Sequence, residues 1–145
     1  MIEQISNFLS KKDCEAIIKM IDSNHTRSTV AGRGNDKSQY EETRTSSTSS
    51  LPEQNPLIKR IKKRIAKKLG LDINRGESIQ GQLYEPGQFF KPHTDFFEGD
   101  SFINHCLASG NRTHTFMVYL NIPEEGGETD FPKFNFSVKP KIGKA

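Results

Sequence analysis

Apolar residues recur at helical spacing in two early stretches of the chain and alternate with polar ones in several later stretches. Ser10 precedes residues 11–21, with Asp13 three positions on. A hydroxyl N-cap followed by an acidic first turn starts a helix, and Cys14, Ile17, Ile18 and Ile21 form its apolar stripe. A second helix opens at Pro56 and closes at Gly70, with Leu57, Ile58, Ile61, Ile65 and Leu69 along one face. The loose alternation of residues 2–9 predicts a short strand leading into the first helix. After Gly76 the period changes to two, and residues 78–84, 89–97, 113–122 and 135–138 read as strands. Pro86-Gly87, Gly110-Asn111 and Glu125-Gly126-Gly127 separate them. Helices first and strands afterwards predict an α+β domain, a sheet with helices packed on one side. Within residues 113–122, Thr115, Met117 and Tyr119 share one face. Phe116, Val118 and Leu120 share the other, which is the face expected to pack against helices.

Residues 23–50 interrupt this pattern with serine, threonine, glycine, asparagine and charge, and almost nothing large to bury. A stretch that long without periodicity predicts one mobile loop, a functional lid, with residues 46–50 alternatively a low-complexity linker. At 145 residues the chain is the size of one domain, residues 1–145. Its 32% hydrophobic and 27% charged residues predict a modest core rather than disorder throughout. Much of the excess of 21 basic over 18 acidic residues falls in residues 59–68, between the apolar positions of the second helix. That arrangement is a solvated helix face, with nucleic acid or an acidic partner as the alternative. Cys14 and Cys106 make no disulfide framework, and Cys14 reads as a small buried apolar residue. No apolar run approaches the roughly 20 residues of a membrane span, and no signal-peptide pattern opens the chain, so a cytoplasmic protein is expected.

The chemistry concentrates in residues 84–95, Tyr-Glu-Pro-Gly-Gln-Phe-Phe-Lys-Pro-His-Thr-Asp. On a strand His93 and Asp95 point to one face. A neutral imidazole and a carboxylate there supply two of the three ligands of the 2-His-1-carboxylate triad that holds Fe(II) in oxygenases. His-x-Asp alone arises often by chance. Its surroundings are more specific, because Gly87 permits a tight turn that lets Tyr84 face the same interior. The remaining histidines read as bystanders: His25 before the sheet, His105 in a loop, and His114 on the strand face opposite Thr115.

The ordered set of Asn7-Phe8-Leu9-Ser10, Arg44-Thr45-Ser46, residues 80–95, residues 112–121, residues 126–132 and residues 138–145 resembles the Fe(II)/2-oxoglutarate dioxygenases of the prolyl 4-hydroxylase type over nearly the whole chain. The resemblance implies a double-stranded β-helix, or jelly roll, with N-terminal supporting helices. It implies His93 and Asp95 as iron ligands, Tyr84 as a hydrogen-bond partner of the co-substrate 2-oxoglutarate, and Thr115 near its distal carboxylate. Phe90 matches an aromatic position near the substrate peptide, and residues 28–50 match the segment that closes over that peptide. Arg112 stays open between anchoring an acidic group structurally and holding a carboxylate. In such enzymes a second histidine ligand and a lysine paired with 2-oxoglutarate follow the Pro-x-x-Gly segment. Lys139, Lys141 and Lys144 do not match that lysine, so both residues, and the last strands, are expected beyond Ala145 in a longer protein.

The function implied is Fe(II)- and 2-oxoglutarate-dependent hydroxylation of a peptidyl residue, with a proline-containing peptide as partner and ascorbate as reductant. Two alternatives remain: an inactive or binding-only fragment of the same fold, and a nucleic-acid-oxidising dioxygenase suggested by the basic helix.

Overall fold

The computed structural model describes residues 1–29, 43–106 and 110–145, without the side chains of residues 100, 101, 104 and 105. Helix α1 (Lys11–Ser23) starts where its cap predicts, with the Asp13 amide donating to Ser10 Oγ at 3.1 Å. It buries Cys14, Ile17 and Ile21 and half-buries Ile18. Helix α2 (Pro56–Leu69) is capped by the Asn55 side chain, which accepts from the Leu57 amide, and ends at Gly70 with φ +66°. Ile58 and Ile61 are buried, with Leu57 and Ile65 packed beside them. The charges of α2 turn outward. Arg60 pairs with Asp13 at 2.7 Å, Lys62 with Glu53 at 3.3 Å and Lys68 with Glu3 at 2.6 Å. The basic run is therefore the outer face of a packed helix.

Strands β1 (Thr26–Arg27), β2 (Ser47–Ser50) and β3 (Gln80–Leu83) form one antiparallel sheet in the order β1-β2-β3. Residues 23–50, expected as a single loop, thus supply two strands, one of them central; residues 30–42 lie outside the described residues. The reason the strand signal is missing is steric. Ser49 stands opposite Gly81 in register, and both are buried beneath α1. A Cβ on Gly81 would lie 2.3 Å from Ile21 Cγ1, so the helix approaches too closely for large side chains there. Serine and glycine suit this contact. The alternate positions are polar for a different reason: Ser28 Oγ hydrogen-bonds Ser46 Oγ at 3.0 Å and Thr48 Oγ1 at 2.6 Å, and Arg44 Nε donates to Ser46 Oγ at 3.0 Å. Among the described residues every buried side-chain nitrogen and oxygen has a partner, as interior polar groups require.

A second antiparallel pair joins β4 (Thr129–Phe131) to β5 (Phe136–Val138), the latter within the expected residues 135–138. Residues 89–97, 113–122 and 2–9 are not strands. Alternation can assign faces to a segment, but a strand also needs a partner along its length. Among the described residues, the backbone-to-backbone pairing of residues 89–97 is confined to the Arg44–Phe90 bridge and its flanking bonds, and that of residues 113–122 to Tyr119. The faces of residues 113–122 nonetheless hold: Phe116, Val118 and Leu120 pack against the core, and the Phe116 and Phe8 rings sit 4.7 Å apart. A short helix, α3 (Gly99–Cys106), replaces the loop expected around residue 105.

The core consists of Phe8, Leu9, Cys14, Ile17, Ile21, Leu51, Ile58 and Ile61. Residues 143–145 fold back on it. Ile5 and Ala145 exchange backbone bonds of 2.7 and 3.0 Å, and the Leu9 amide donates to Gly143 O at 3.1 Å. Both cysteines are free and buried. Among the described residues no helix is long and apolar enough to cross a membrane.

Candidate metal centre

His93 and Asp95 converge without a strand beneath them. The turn that delivers them is as expected: Gln88 N donates to Glu85 O at 2.9 Å, and Gly87 has φ +81°, a conformation that glycine adopts without strain. Antiparallel bonds to residues 43–45 then hold the incoming chain. Thr45 N donates to Phe89 O at 3.0 Å, Phe89 N to Thr45 Oγ1 at 2.8 Å and Lys91 N to Thr43 O at 2.9 Å.

His93 Nδ1 lies 2.8 Å from Lys91 O. A carbonyl can only accept, so Nδ1 carries a proton and, in the neutral ring, Nε2 carries the lone pair. Nε2 faces Asp95 Oδ1 at 3.4 Å. A lone pair opposite a carboxylate oxygen repels unless a proton or a cation lies between them. With a proton there the two form an ion pair, which holds the Asp95 carboxyl at about 2: the His93 contact lowers it most, burial opposes, and the Thr115 hydroxyl lowers it further. The same contact raises His93 above its ordinary value. With a divalent cation there instead, two hard donors already point at it, and the fixed Nδ1–H is the orientation seen for metal-ligating histidines. The residues present therefore fit Fe(II) as two adjacent ligands. Among the described residues no third His, Cys, Asp or Glu joins them.

Of the other residues singled out, Phe90 and Thr115 lie against the pair. The Phe90 ring stacks on the His93 ring at 3.6 Å between centroids, and the Arg44 guanidinium lies 4.5 Å over Phe90. Phe90 is thus a platform for the imidazole as well as an aromatic beside the centre. The Thr115 hydroxyl donates to Asp95 Oδ2 at 2.5 Å, which leaves Oδ1 toward His93. Tyr84 is 45% exposed. His114 is exposed, its Nδ1 2.9 Å from the Thr113 hydroxyl, and His25 is exposed as well. The His105 side chain lies outside the described residues. The His93 and Asp95 side chains are 39% and 42% exposed, so the pair is open to solvent.

Arg44 and Asn111 had no individual signal in the sequence, whereas Arg112 stood out there with two open roles. Arg44 donates to Ser46, Thr48 and Gln82 in addition to covering Phe90, and burial lowers its pKa. Arg112 binds Glu77 in a fork, Nε to Oε1 at 2.5 Å and Nη2 to Oε2 at 2.8 Å, which settles it as an anchor for an acidic side chain. Asn111 bonds the backbone of Phe97. A turn asparagine is too common a feature to stand out.

The model of the 2OG-Fe(II) oxygenase superfamily matches residues 79–145. Probable prolyl 4-hydroxylase 3 of Arabidopsis thaliana is 40% identical over 137 residues, covering 92% of this chain and 47% of that protein. Prolyl 4-hydroxylase subunit alpha-1 of Homo sapiens is 39% identical over 95 residues, covering 63% of this chain and 17% of that protein. The chain spans about half the length of the plant relatives it matches. The structure of a viral collagen prolyl hydroxylase from Paramecium Bursaria Chlorella virus-1, a 2OG complex, superposes with a TM-score of 0.70 at 30% identity, over 98% of this chain and 74% of that one. That match carries the jelly-roll fold anticipated from the sequence, although the described sheets have three and two strands. On these grounds the chain belongs to the 2OG-Fe(II) oxygenase superfamily, among relatives of the prolyl 4-hydroxylase type.

Proposed function

We propose that the protein is an Fe(II)- and 2-oxoglutarate-dependent dioxygenase that hydroxylates a peptidyl residue, proline in a proline-containing peptide, with ascorbate as the supporting reductant. The observation that carries this reading is the convergence of His93 Nε2 and Asp95 Oδ1 at 3.4 Å, with each partner already oriented by a further hydrogen bond. Bound iron, with 2-oxoglutarate, supplies the oxidising chemistry that a side chain cannot.

The chain's own residues bind and orient. Lys91 O fixes the His93 tautomer and Phe90 fixes the plane of its ring. Thr115 directs Asp95, and in the loaded site the Tyr84 hydroxyl is assigned to the co-substrate, with Thr115 near its distal carboxylate. Exposed Phe89, Phe96 and Met117 offer apolar surface near these residues for a peptide. No observation favours nucleic acid as substrate, since several α2 cations are engaged by acidic neighbours.

Succinate release from 2-oxoglutarate tests the reading. It is expected to require Fe(II) and to vanish in His93→Ala. Release that survives His93→Ala, or that is indifferent to Fe(II), refutes the assigned centre.

A further inference from the structure

Residues 95–98 carry one ligand of the proposed centre and are not in a strand. The Asn111 carboxamide helps to hold them. Phe97 N donates to Asn111 Oδ1 at 2.9 Å and Asn111 Nδ2 donates to Phe97 O at 2.8 Å, the paired bonds that a neighbouring strand residue would make with its own backbone. Asn111 Oδ1 also accepts from the Arg112 amide at 2.8 Å, which fixes the carboxamide plane. Arg112 adds to this hold. Its guanidinium lies 4.6 Å over the Phe97 ring, donates to Asp95 O at 3.3 Å and is tied behind by the Glu77 fork. The approach to His93 is held separately, by residues 43–45. The two ligands therefore hang between two independent anchors.

We propose that Asn111 and Arg112, backed by Glu77, are positioning residues that hold the backbone of residues 95–97 and so fix the Asp95 carboxylate for the metal. The proposal rests on the iron reading above. None of the three residues touches the metal position; Asn111 acts through the backbone of Phe97, Arg112 through that of Asp95, and Glu77 through Arg112.

The test uses Mn(II) as the probe, followed by its paramagnetic resonance signal, together with hydrogen exchange of the metal-free protein. Asn111→Ala is expected to speed exchange of the Phe97 amide at least about tenfold, since that opening no longer breaks a bond. It should also weaken Mn(II) binding by about 10–100-fold, the usual cost of losing a partner that orients a ligand. Asn111→Asp keeps the Oδ1 acceptor and loses the donor, so it should retain Phe97 protection and fall between the two in affinity. That variant also stands in if Asn111→Ala fails to fold. Unchanged Phe97 exchange, or Mn(II) affinity within twofold of wild type in both variants, overturns the proposal. The iron reading fails differently: wild-type protein that binds no Mn(II), or binds it equally well as His93→Ala, refutes the centre itself.

Discussion

Gly143→Ala should unfold a larger share of the protein's stability than its chemistry suggests. The residue sits at φ +71°, where an L side chain costs about 1–2 kcal/mol. Its added Cβ would also lie 2.1 Å from Leu9 O and 3.0 Å from Leu9 C. Those are backbone atoms, so no rotamer change relieves the overlap. The segment must move away, and the bonds from Leu9 N to Gly143 O (3.1 Å) and from Gly143 N to Tyr119 O (2.8 Å) are lost with it. At about 1 kcal/mol each they bring the expected loss to roughly 3–4 kcal/mol. Gly70→Ala is the matched control, because Gly70 has φ +66° but nothing within 4 Å of its Cβ position. It should lose only the backbone term, about 1–2 kcal/mol. Urea titration measures both variants, and the difference between them, about 2 kcal/mol, corresponds to a thermal midpoint about 4–8 °C lower for Gly143→Ala. Equal losses in the two variants would refute the close approach of residues 143–145 to Leu9, and with it the claim that this segment is part of the core.

Gly81→Ala should destabilise by about 1–3 kcal/mol through overlap with Ile21, and Ile21→Ala should absorb most of that cost when the two are combined; additive losses in a double-mutant cycle would show that α1 and β3 are not in contact there. The Arg112 fork lowers the Glu77 pKa, so the pair's contribution to stability is present above the ordinary glutamate range and disappears as pH falls through the lowered value. Both side chains are well exposed, at 38% and 59%, so Glu77→Gln should cost under about 1 kcal/mol at neutral pH and nothing in strong acid. A deficit that persists undiminished in acid denaturation experiments contradicts that assignment.

The particular residues that sequence reading reached share one property, which is that their signals are local. Ser10 with Asp13, Pro56 with Gly70, and the spacing of Ile17 and Ile21 or Ile58 and Ile61 fix both helices and their buried faces, because a helix makes its backbone bonds within itself. The alternation of Thr115 to Leu120 likewise assigned Phe116, Val118 and Leu120 to the core. The segment around His93 and Asp95 was legible as chemistry, because few residue types make metal ligands and their spacing is short.

The tertiary structure decided everything that depended on a partner distant in the chain. It made residues 47–50 a central strand, although their sequence resembles a linker, because α1 leaves room only for serine and glycine on one face and Arg44 satisfies the hydroxyls on the other. It withheld strand structure from residues 89–97 beyond the single bridge at Phe90, although their alternation was sound. It brought His93 and Asp95 together through two anchors, residues 43–45 and Asn111 with Arg112, instead of through one strand face. Periodicity reports which way a side chain points, and hydrogen-bond partners tens of residues away determine whether the backbone beneath it is held.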